Sequence, residues 1–322
     1  MADSLERWLN RRWYEGVPPE SGLRWLAHGY RMWLDARRPP VAEKMPVPVL
    51  VVGNFTAGGT GKTPLTIALA KYFVGKGMRP AIVSRGHGRK SRQPVRVSSK
   101  TPAAQCGDEP RLIFEKTGLP VLVDRDRVAA ARAALEAGCD LIIADDGLQH
   151  RRLGRSVEIE VVDGQRRYGN GLLLPAGPLR ERPRDCDFRV VNGYNANAGE
   201  WTMHLRVGEA VRLDNPGISR SLSKFNSAPV HCFAAIGNSR RFFDALKRAG
   251  LDPIEHGFDD HHLFRQEDFA GVVGPILMTE KDAVKCRGLN LNMAWAVPVE
   301  AELAPEFFIS VEHMLTARHG SS

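Results

Sequence analysis

Residues 47–69 constrain this chain more than any other stretch. The apolar run Val49-Leu50-Val51-Val52 reads as a buried strand and Gly58-Gly59-Thr60-Gly61-Lys62-Thr63 as a glycine-rich loop. Leu65, Ile67, Ala68, Leu69 and Tyr72 then follow at helical spacing. Strand, loop and helix in that order form a phosphate-binding loop. Backbone N–H groups wrap a phosphate, Lys62 reaches the β- and γ-phosphates, and the Thr63 hydroxyl is placed to ligate Mg²⁺. Only glycine lets the backbone approach that closely. The first position of the pattern G-x-x-x-x-G-K-[ST] falls on Thr56, followed by Ala57, so the loop entry is expected to take a shape of its own. Pro64 is acceptable because a first-turn residue needs no intrahelical N–H partner.

A second nucleotide signal lies downstream. Asp140-Leu141-Ile142-Ile143-Ala144-Asp145-Asp146 is a short apolar strand ending in paired aspartates, the means by which such proteins bring a carboxylate to Mg²⁺. A parallel sheet places both strand ends on one carboxyl edge, where ligands bind. The expected fold is therefore α/β, a P-loop NTPase-like, mostly parallel sheet flanked by helices. Gly107-Asp108-Glu109-Pro110 offers two adjacent carboxylates with two readings: metal and proton chemistry beside a nucleotide, or ordinary first-turn helix residues. From Arg85 to Lys100 there are six Lys or Arg and no carboxylate, a loop suited to an anion. Between Arg151 and Arg189 nine arginines face six carboxylates, with Arg180 in the Gly/Pro-rich segment Leu174–Glu181.

Around 193–199 the composition changes to NGYNANAG, a candidate linker. Alternation from Trp201 to Leu213 suggests short antiparallel strands beyond it, and Pro229–Ile236, Pro275–Met278 and Ala294–Val299 repeat the strand pattern. Three segments follow: 1–46, an aromatic and basic amino-terminal helical part; 47–192, the catalytic domain; and 193–322, a smaller α/β domain joined by a strand-containing linker. Within the last, Asp259-Asp260-His261-His262 can be a His–Asp proton-transfer pair, a metal site or a helix cap; adjacent histidines rarely face one ion.

Four of the six tryptophans, Trp8, Trp13, Trp25 and Trp33, precede the loop. Leu23, Leu26, Tyr30, Trp33 and Leu34 fall at helical spacing among Arg24, Arg31, Arg37 and Arg38, which suits either a membrane interface or a helix packed on the core. No apolar run approaches the length of a membrane span, and no secretory signal is visible. Five scattered cysteines without a C-x-x-C pair argue for reduced cytoplasmic thiols and against a disulfide framework. The formal charge of +8 favours acidic partners, and charge alone does not choose among phosphorylated substrates, anionic membrane and nucleic acid.

The motifs in series are more specific than their parts. Gly58–Pro64, Ser84-Arg85-Gly86-His87-Gly88-Arg89, Gly107–Pro110, Asp145–His150, Leu174–Glu181, Asp260-His261 and Thr279-Glu280-Lys281-Asp282 together resemble the tetraacyldisaccharide 4′-kinase family of lipid A biosynthesis, over nearly the whole chain. His87 stands where that family more often shows tyrosine. The resemblance implies ATP-dependent phosphorylation of the 4′-hydroxyl of an acylated glucosamine disaccharide 1-phosphate, by a peripheral protein at the cytoplasmic face of the inner membrane. It implies Asp108 as base assisted by His261, with Asp260 beside it. Lys62 and Arg180 would stabilise the transferred phosphoryl group, and Glu181 would support them. Thr63, Glu109, Asp145 and Asp146 form the metal side, and Thr56 to Thr63 (Thr56, Ala57, Gly58, Gly59, Thr60, Gly61, Lys62, Thr63) the ATP cradle. Domain closure would bring His261 to Asp108. The competing function is a P-loop ATPase or GTPase switch acting on a protein partner; many with a Gly-Gly-x-Gly-Lys loop carry lysine where this chain has Ala57. Nucleic-acid binding has only charge in its favour and is set aside.

Overall fold

The computed structural model describes residues 5–38, 40–226, 229–260 and 262–319. Strands β1 (Val49–Gly53), β2 (Pro80–Ser84), β3 (Val95–Arg96), β4 (Val121–Val123), β5 (Leu141–Asp145), β6 (Val157–Asp163), β7 (Phe188–Asn192) and β8 (Trp201–Val207) lie in one sheet. A smaller sheet holds β9 (Ala210–Arg212), β10 (Ser219–Arg220), β11 (Val230–Ala234), β12 (Pro253–Gly257), β13 (Ile276–Thr279) and β14 (Ala294–Val297). The last strand, β15 (Val299–Leu303), returns to the larger sheet, whose order is β15-β8-β7-β6-β1-β5-β2-β4-β3. The inner strands run parallel, and β3 and β15 close the two edges antiparallel.

Why the centre of this sheet is so apolar follows from its topology. Parallel strands carry crossover helices on both faces and are buried on both. β1, β2 and β5 are buried at every residue. On one face Leu50, Val52, Ile82 and Ile143 pack with Leu65, Leu69 and Phe73 of helix α3 (Lys62–Gly75; the two preceding helices are α1, Leu5–Tyr14, and α2, Ser21–Ala36). On the other, Val51, Val83 and Ile142 pack with alanines of the helix at Arg127–Glu136. That helix starts where Asp126 accepts a hydrogen bond from the Val128 N–H, at 2.9 Å, an N-cap.

The division between the two units runs differently from the composition change at 193–199. Those residues connect β7 to its parallel neighbour β8, so Trp201–Val207 belongs to the larger sheet. The crossing points are Val207–Ala210 and Val297–Val299, where the Gly208 N–H donates to the Pro298 carbonyl at 2.9 Å. The β8–β15 ladder thus continues into the β9–β14 ladder, the strand-containing connection. The carboxy-terminal helix at Pro305–His319 also packs on the larger unit. Phe307, fully buried, meets Phe188 and Trp201 edge-on at 5.8 and 5.6 Å. Ala301 and Leu303 of β15, which pairs with β8, join Phe307, Val311 and Leu315 of that helix in the core shared with α3, so burial of its apolar face holds the helix on the larger unit.

Candidate active site

The loop entry explains why Thr56 is not glycine. Thr56 forms an antiparallel bridge with Leu179, the Ala57 N–H donates to the Pro178 carbonyl at 2.7 Å, and the Arg180 N–H donates to the Phe55 carbonyl at 2.7 Å. The chain before the phosphate loop is therefore held by the Leu174–Glu181 segment through an isolated bridge at Thr56, a pairing that suits a β-branched residue. That segment delivers Arg180 to the site. Glycine becomes necessary further on: Gly58 has φ +101° and Gly61 φ +99°, and a Cβ on Gly61 would stand 2.5 Å from the Asn192 Nδ2. Asn192, at the end of β7, donates from that nitrogen to the Thr60 carbonyl at 2.9 Å and fixes the loop from the side.

Lys62 reaches toward Asn54 Oδ1 at 3.2 Å and Asp146 Oδ1 at 3.6 Å. Arg180 Nη1 donates to both Asp146 oxygens, at 3.1 and 2.9 Å. Asp146 is thus the counter-ion shared by the two cations; burial opposes its charge, yet Lys62 and Arg180 hold its carboxyl far below the ordinary range. Asp145 is placed differently. Its Oδ1 accepts from the Thr66 hydroxyl at 3.0 Å, while its Oδ2 is buried without a hydrogen-bond partner among the described residues. Burial first, then Glu109 and Asp146, push this carboxyl up to about 7. Paired strand-end aspartates with identical sequence signals therefore have distinct surroundings.

The Gly107-Asp108-Glu109 turn begins the helix at Asp108–Thr117, and both acidic residues sit in its first turn, where the helix dipole favours them. Its position depends on close backbone contact: a Cβ on Gly86 would lie 2.3 Å from the Cys106 carbonyl oxygen, and one on Gly107 would lie 3.1 Å from the Gly86 Cα. The Ser84–Arg89 loop thereby seats the turn that carries Asp108, a buried residue. Across the cleft, Lys281 Nζ lies 3.2 Å from Glu109 Oε1, 3.3 Å from Asp260 Oδ1 and 3.9 Å from Asp108 Oδ2. The structure thus groups Lys62, Thr63, Asp145, Asp146 and Arg180 on the larger unit. Asp108 and Glu109 face Asp260 across the seam. His261 lies outside the described residues.

A cavity of about 900 Å³ opens between the two units, lined by Gly59–Pro64, Glu109, Asn192–Asn195, His204–Val207, Gly237 and Thr279–Lys281. Thr63 and Glu109 border the same space. Among the described residues no three His, Cys, Asp or Glu side chains form a metal cage by themselves. The unpartnered Asp145 oxygen and the raised carboxyl nevertheless fit a divalent cation that takes one or two carboxylates and completes its shell with phosphate and water, as Mg²⁺ does. Sequence reasoning missed Asn54, Thr66, Asn192, Gln149 and Lys281. Asn54 and Thr66 lie within the strand–loop–helix unit, and Lys281 lies in a quoted motif that had been given no role. Gln149 donates to the Asn54 carbonyl at 2.9 Å and to Glu181 at 3.2 Å, tying Glu181 to the loop entry.

This arrangement has relatives. A sequence model of the family described as Tetraacyldisaccharide-1-P 4′-kinase (LpxK) matches residues 17–316. The chain is 48% identical over 323 residues to the tetraacyldisaccharide 4′-kinase of Stenotrophomonas maltophilia (strain R551-3), covering 94% of this chain and 95% of that protein. It is 49% identical over 322 residues to the corresponding protein of Xanthomonas euvesicatoria pv. vesicatoria (strain 85-10), with 93% of each covered. Among solved structures it resembles LpxK from Aquifex aeolicus, crystallised in a form called "apo" in complex with ATP, at TM-score 0.69 and 26% identity over 92% of this chain and 96% of that one. With a phosphate loop, paired strand-end aspartates and an acidic turn on one cleft, and with these relatives along almost its entire length, the chain belongs to the tetraacyldisaccharide-1-P 4′-kinase family.

Proposed function

We propose that this chain transfers the γ-phosphoryl group of ATP to the 4′-hydroxyl of an acylated glucosamine disaccharide 1-phosphate. The observation that carries the reading is the meeting of loop residues Gly59–Thr63 with Glu109 of the acidic turn in one cleft, in a member of this family. Phosphoryl transfer is mostly positioning and charge neutralisation. Lys62 and Arg180, already oriented by Asp146, are the cations for the transferred group. Asp108 takes the proton of the attacking hydroxyl, assisted by His261 and with Asp260 nearby, a role supported by the family motif and by its place next to Glu109, which lines the cleft. The new P–O bond forms at the sugar oxygen as the bond to ADP breaks. Thr63, Asp145 and Glu109 would hold Mg²⁺, with Asp146 serving the cations; bound Mg²⁺ supplies neutralisation of phosphate charge.

Acceptor and membrane are assigned to the amino-terminal helices. Tyr30 of α2 donates to the Arg180 carbonyl at 2.7 Å, and Trp13 of α1 donates from its indole nitrogen to the Pro175 carbonyl at 3.0 Å. Trp25, Leu26, Met32 and Trp33 remain exposed beside basic side chains. Aromatic rings at headgroup level with cations against lipid phosphate suit a membrane surface. Among the described residues no helix is long and apolar enough to cross a membrane.

The deciding experiment incubates the purified chain with Mg²⁺, γ-labelled ATP and the disaccharide lipid. Label is expected on the lipid. Label released only as inorganic phosphate would refute the transfer and favour the nucleotide-switch alternative.

A further inference from the structure

Lys281 belongs to the smaller unit, yet two of its three carboxylate neighbours lie on the larger one. Its side chain is 16% exposed and stands 3.2 Å from Glu109 and 3.9 Å from Asp108, with Asp260 at 3.3 Å on its own side. Its base is rigid. Thr279 caps the short helix that follows by accepting from the Asp282 N–H at 3.1 Å, and Asp282 in turn accepts from the Ala235 N–H at 3.0 Å at the end of β11. The lysine is therefore mounted on the smaller sheet and projects into the acidic turn of the larger one. Other ion pairs cross between the units, Lys116 to Glu280 at 2.5 Å, Arg287 to Glu115 at 2.7 Å and Arg241 to Asp163 at 2.7 Å, but none of these touches Asp108 or Glu109.

We propose that Lys281 is a positioning residue for phosphoryl transfer: the smaller unit uses it to fix the Asp108-Glu109 turn when the two units meet. Two adjacent carboxylates in the first turn of a helix repel one another and have many accessible rotamers. A single buried ammonium within reach of both selects one arrangement, and it does so only with the cleft shut. Displacement of a reacting group by about 1 Å can cost on the order of 100-fold in rate. Lys281 thus makes the geometry of the proposed base depend on interdomain contact. The inference rests on the assignment of Asp108 made above.

The test compares Lys281→Met, Lys281→Arg and Lys116→Met with the unmodified protein, in steady-state kinetics with Mg-ATP and the disaccharide lipid. Lys281→Met should lower kcat by about 100-fold while KM for ATP stays within about threefold. Lys281→Arg, which keeps the charge, should recover at least about tenfold of that loss. Lys116→Met weakens the same seam and should leave kcat within about threefold. Overturning results are an equal loss of kcat in Lys116→Met, which would make Lys281 simple adhesion between the units, a loss that appears in KM alone, or full activity in Lys281→Met. Should Lys281→Met not fold, failure of Lys281→Arg to exceed background activity overturns the proposal by itself. Asp108→Asn is assayed in parallel: if it remains active, the base assignment falls, whatever the lysine variants do.

Discussion

The three glycines of the phosphate loop differ in ways that separate folding from binding. Gly61 combines φ +99° with a Cβ position 2.5 Å from Asn192 Nδ2 and 3.0 Å from Met203 Cε. Alanine there carries a dihedral cost of about 1–3 kcal/mol. Displacing the Asn192 side chain also leaves the Thr60 carbonyl without its 2.9 Å donor, a further cost of about 1–3 kcal/mol for a buried group. Gly58 has φ +101° but nothing within 4 Å of a built Cβ, so Gly58→Ala should cost only the dihedral amount. Gly59 has neither liability. Urea unfolding of the apoprotein should therefore rank Gly61→Ala about 2–6 kcal/mol below wild type, Gly58→Ala about 1–3, and Gly59→Ala within about 0.5. Calorimetric titration with ATP should show a different order. Gly59→Ala, although as stable as wild type, should bind ATP more than about tenfold less tightly, because its methyl group occupies the approach of the phosphate to the backbone. Equal destabilisation by Gly59→Ala and Gly61→Ala, or unchanged ATP affinity in Gly59→Ala, would refute this account of the loop.

Asp108→Asn keeps the shape of the side chain and loses its basicity, so turnover should fall by 100-fold or more, on the order expected for a general base, while ATP affinity is retained. Replacing Trp25 and Trp33 together by alanine should reduce co-sedimentation with anionic vesicles without changing ATP affinity, since both rings are exposed on α2; full vesicle binding would place the membrane contact elsewhere. Phe307→Ala removes a fully buried ring and its edge-on contacts with Phe188, Trp201 and Phe308 and should destabilise the larger unit by about 3–5 kcal/mol in urea unfolding. His150 is pushed down to about 4 by burial and by Arg127 and Arg85. Its ordinary value, about 6.5, applies when the chain is unfolded, so the unfolded state binds the extra proton between those values. The resulting stability is fully present above about pH 6.5 and lost as pH falls toward 4, by at most about 3 kcal/mol. His150→Gln should flatten that part of the stability profile relative to wild type.

The strand–loop–helix and the Asp145-Asp146 strand end were legible because each rests on local rules: apolar runs for buried parallel strands, glycine for close backbone approach, carboxylates at the carboxyl edge. The domain boundary was not. Gly- and Asn-rich residues 193–199 look like a linker, yet they only turn the chain from β7 to β8. The actual crossings, near Gly208 and Pro298, are short and are set by strand pairing between segments about ninety residues apart, which composition does not encode. The same blindness separated Asp145 from Asp146. Both end one strand, but Asp146 has φ +51°, and its carboxylate meets Lys62 and Arg180, whereas Asp145 meets Thr66. One left-handed residue decides which carboxylate serves the cations.

A phosphate loop by itself is compatible with hydrolysis, transfer or switching, so what faces it across the cleft has to make the distinction. A switch couples nucleotide state to a mobile surface on a partner. Here the opposing wall belongs to the same chain and is tightly apposed: a Cβ on Gly237 would stand 2.8 Å from the Gly59 nitrogen, Arg166 donates to the Gly237 carbonyl at 2.9 Å, and Arg241 pairs with Asp163 at 2.7 Å. Shut over bound nucleotide, such a wall would exclude water there, and Glu109 of the acidic turn lines the same cleft. Water exclusion favours transfer to a bound hydroxyl over hydrolysis. On the larger unit Arg180 lies beside α2, whose Tyr30 donates to the Arg180 carbonyl at 2.7 Å. We expect an acceptor whose sugar reaches the cleft while its acyl chains stay with the exposed Trp25 and Trp33 face, and Tyr30 would then tie α2 to the chemistry through a single hydrogen bond.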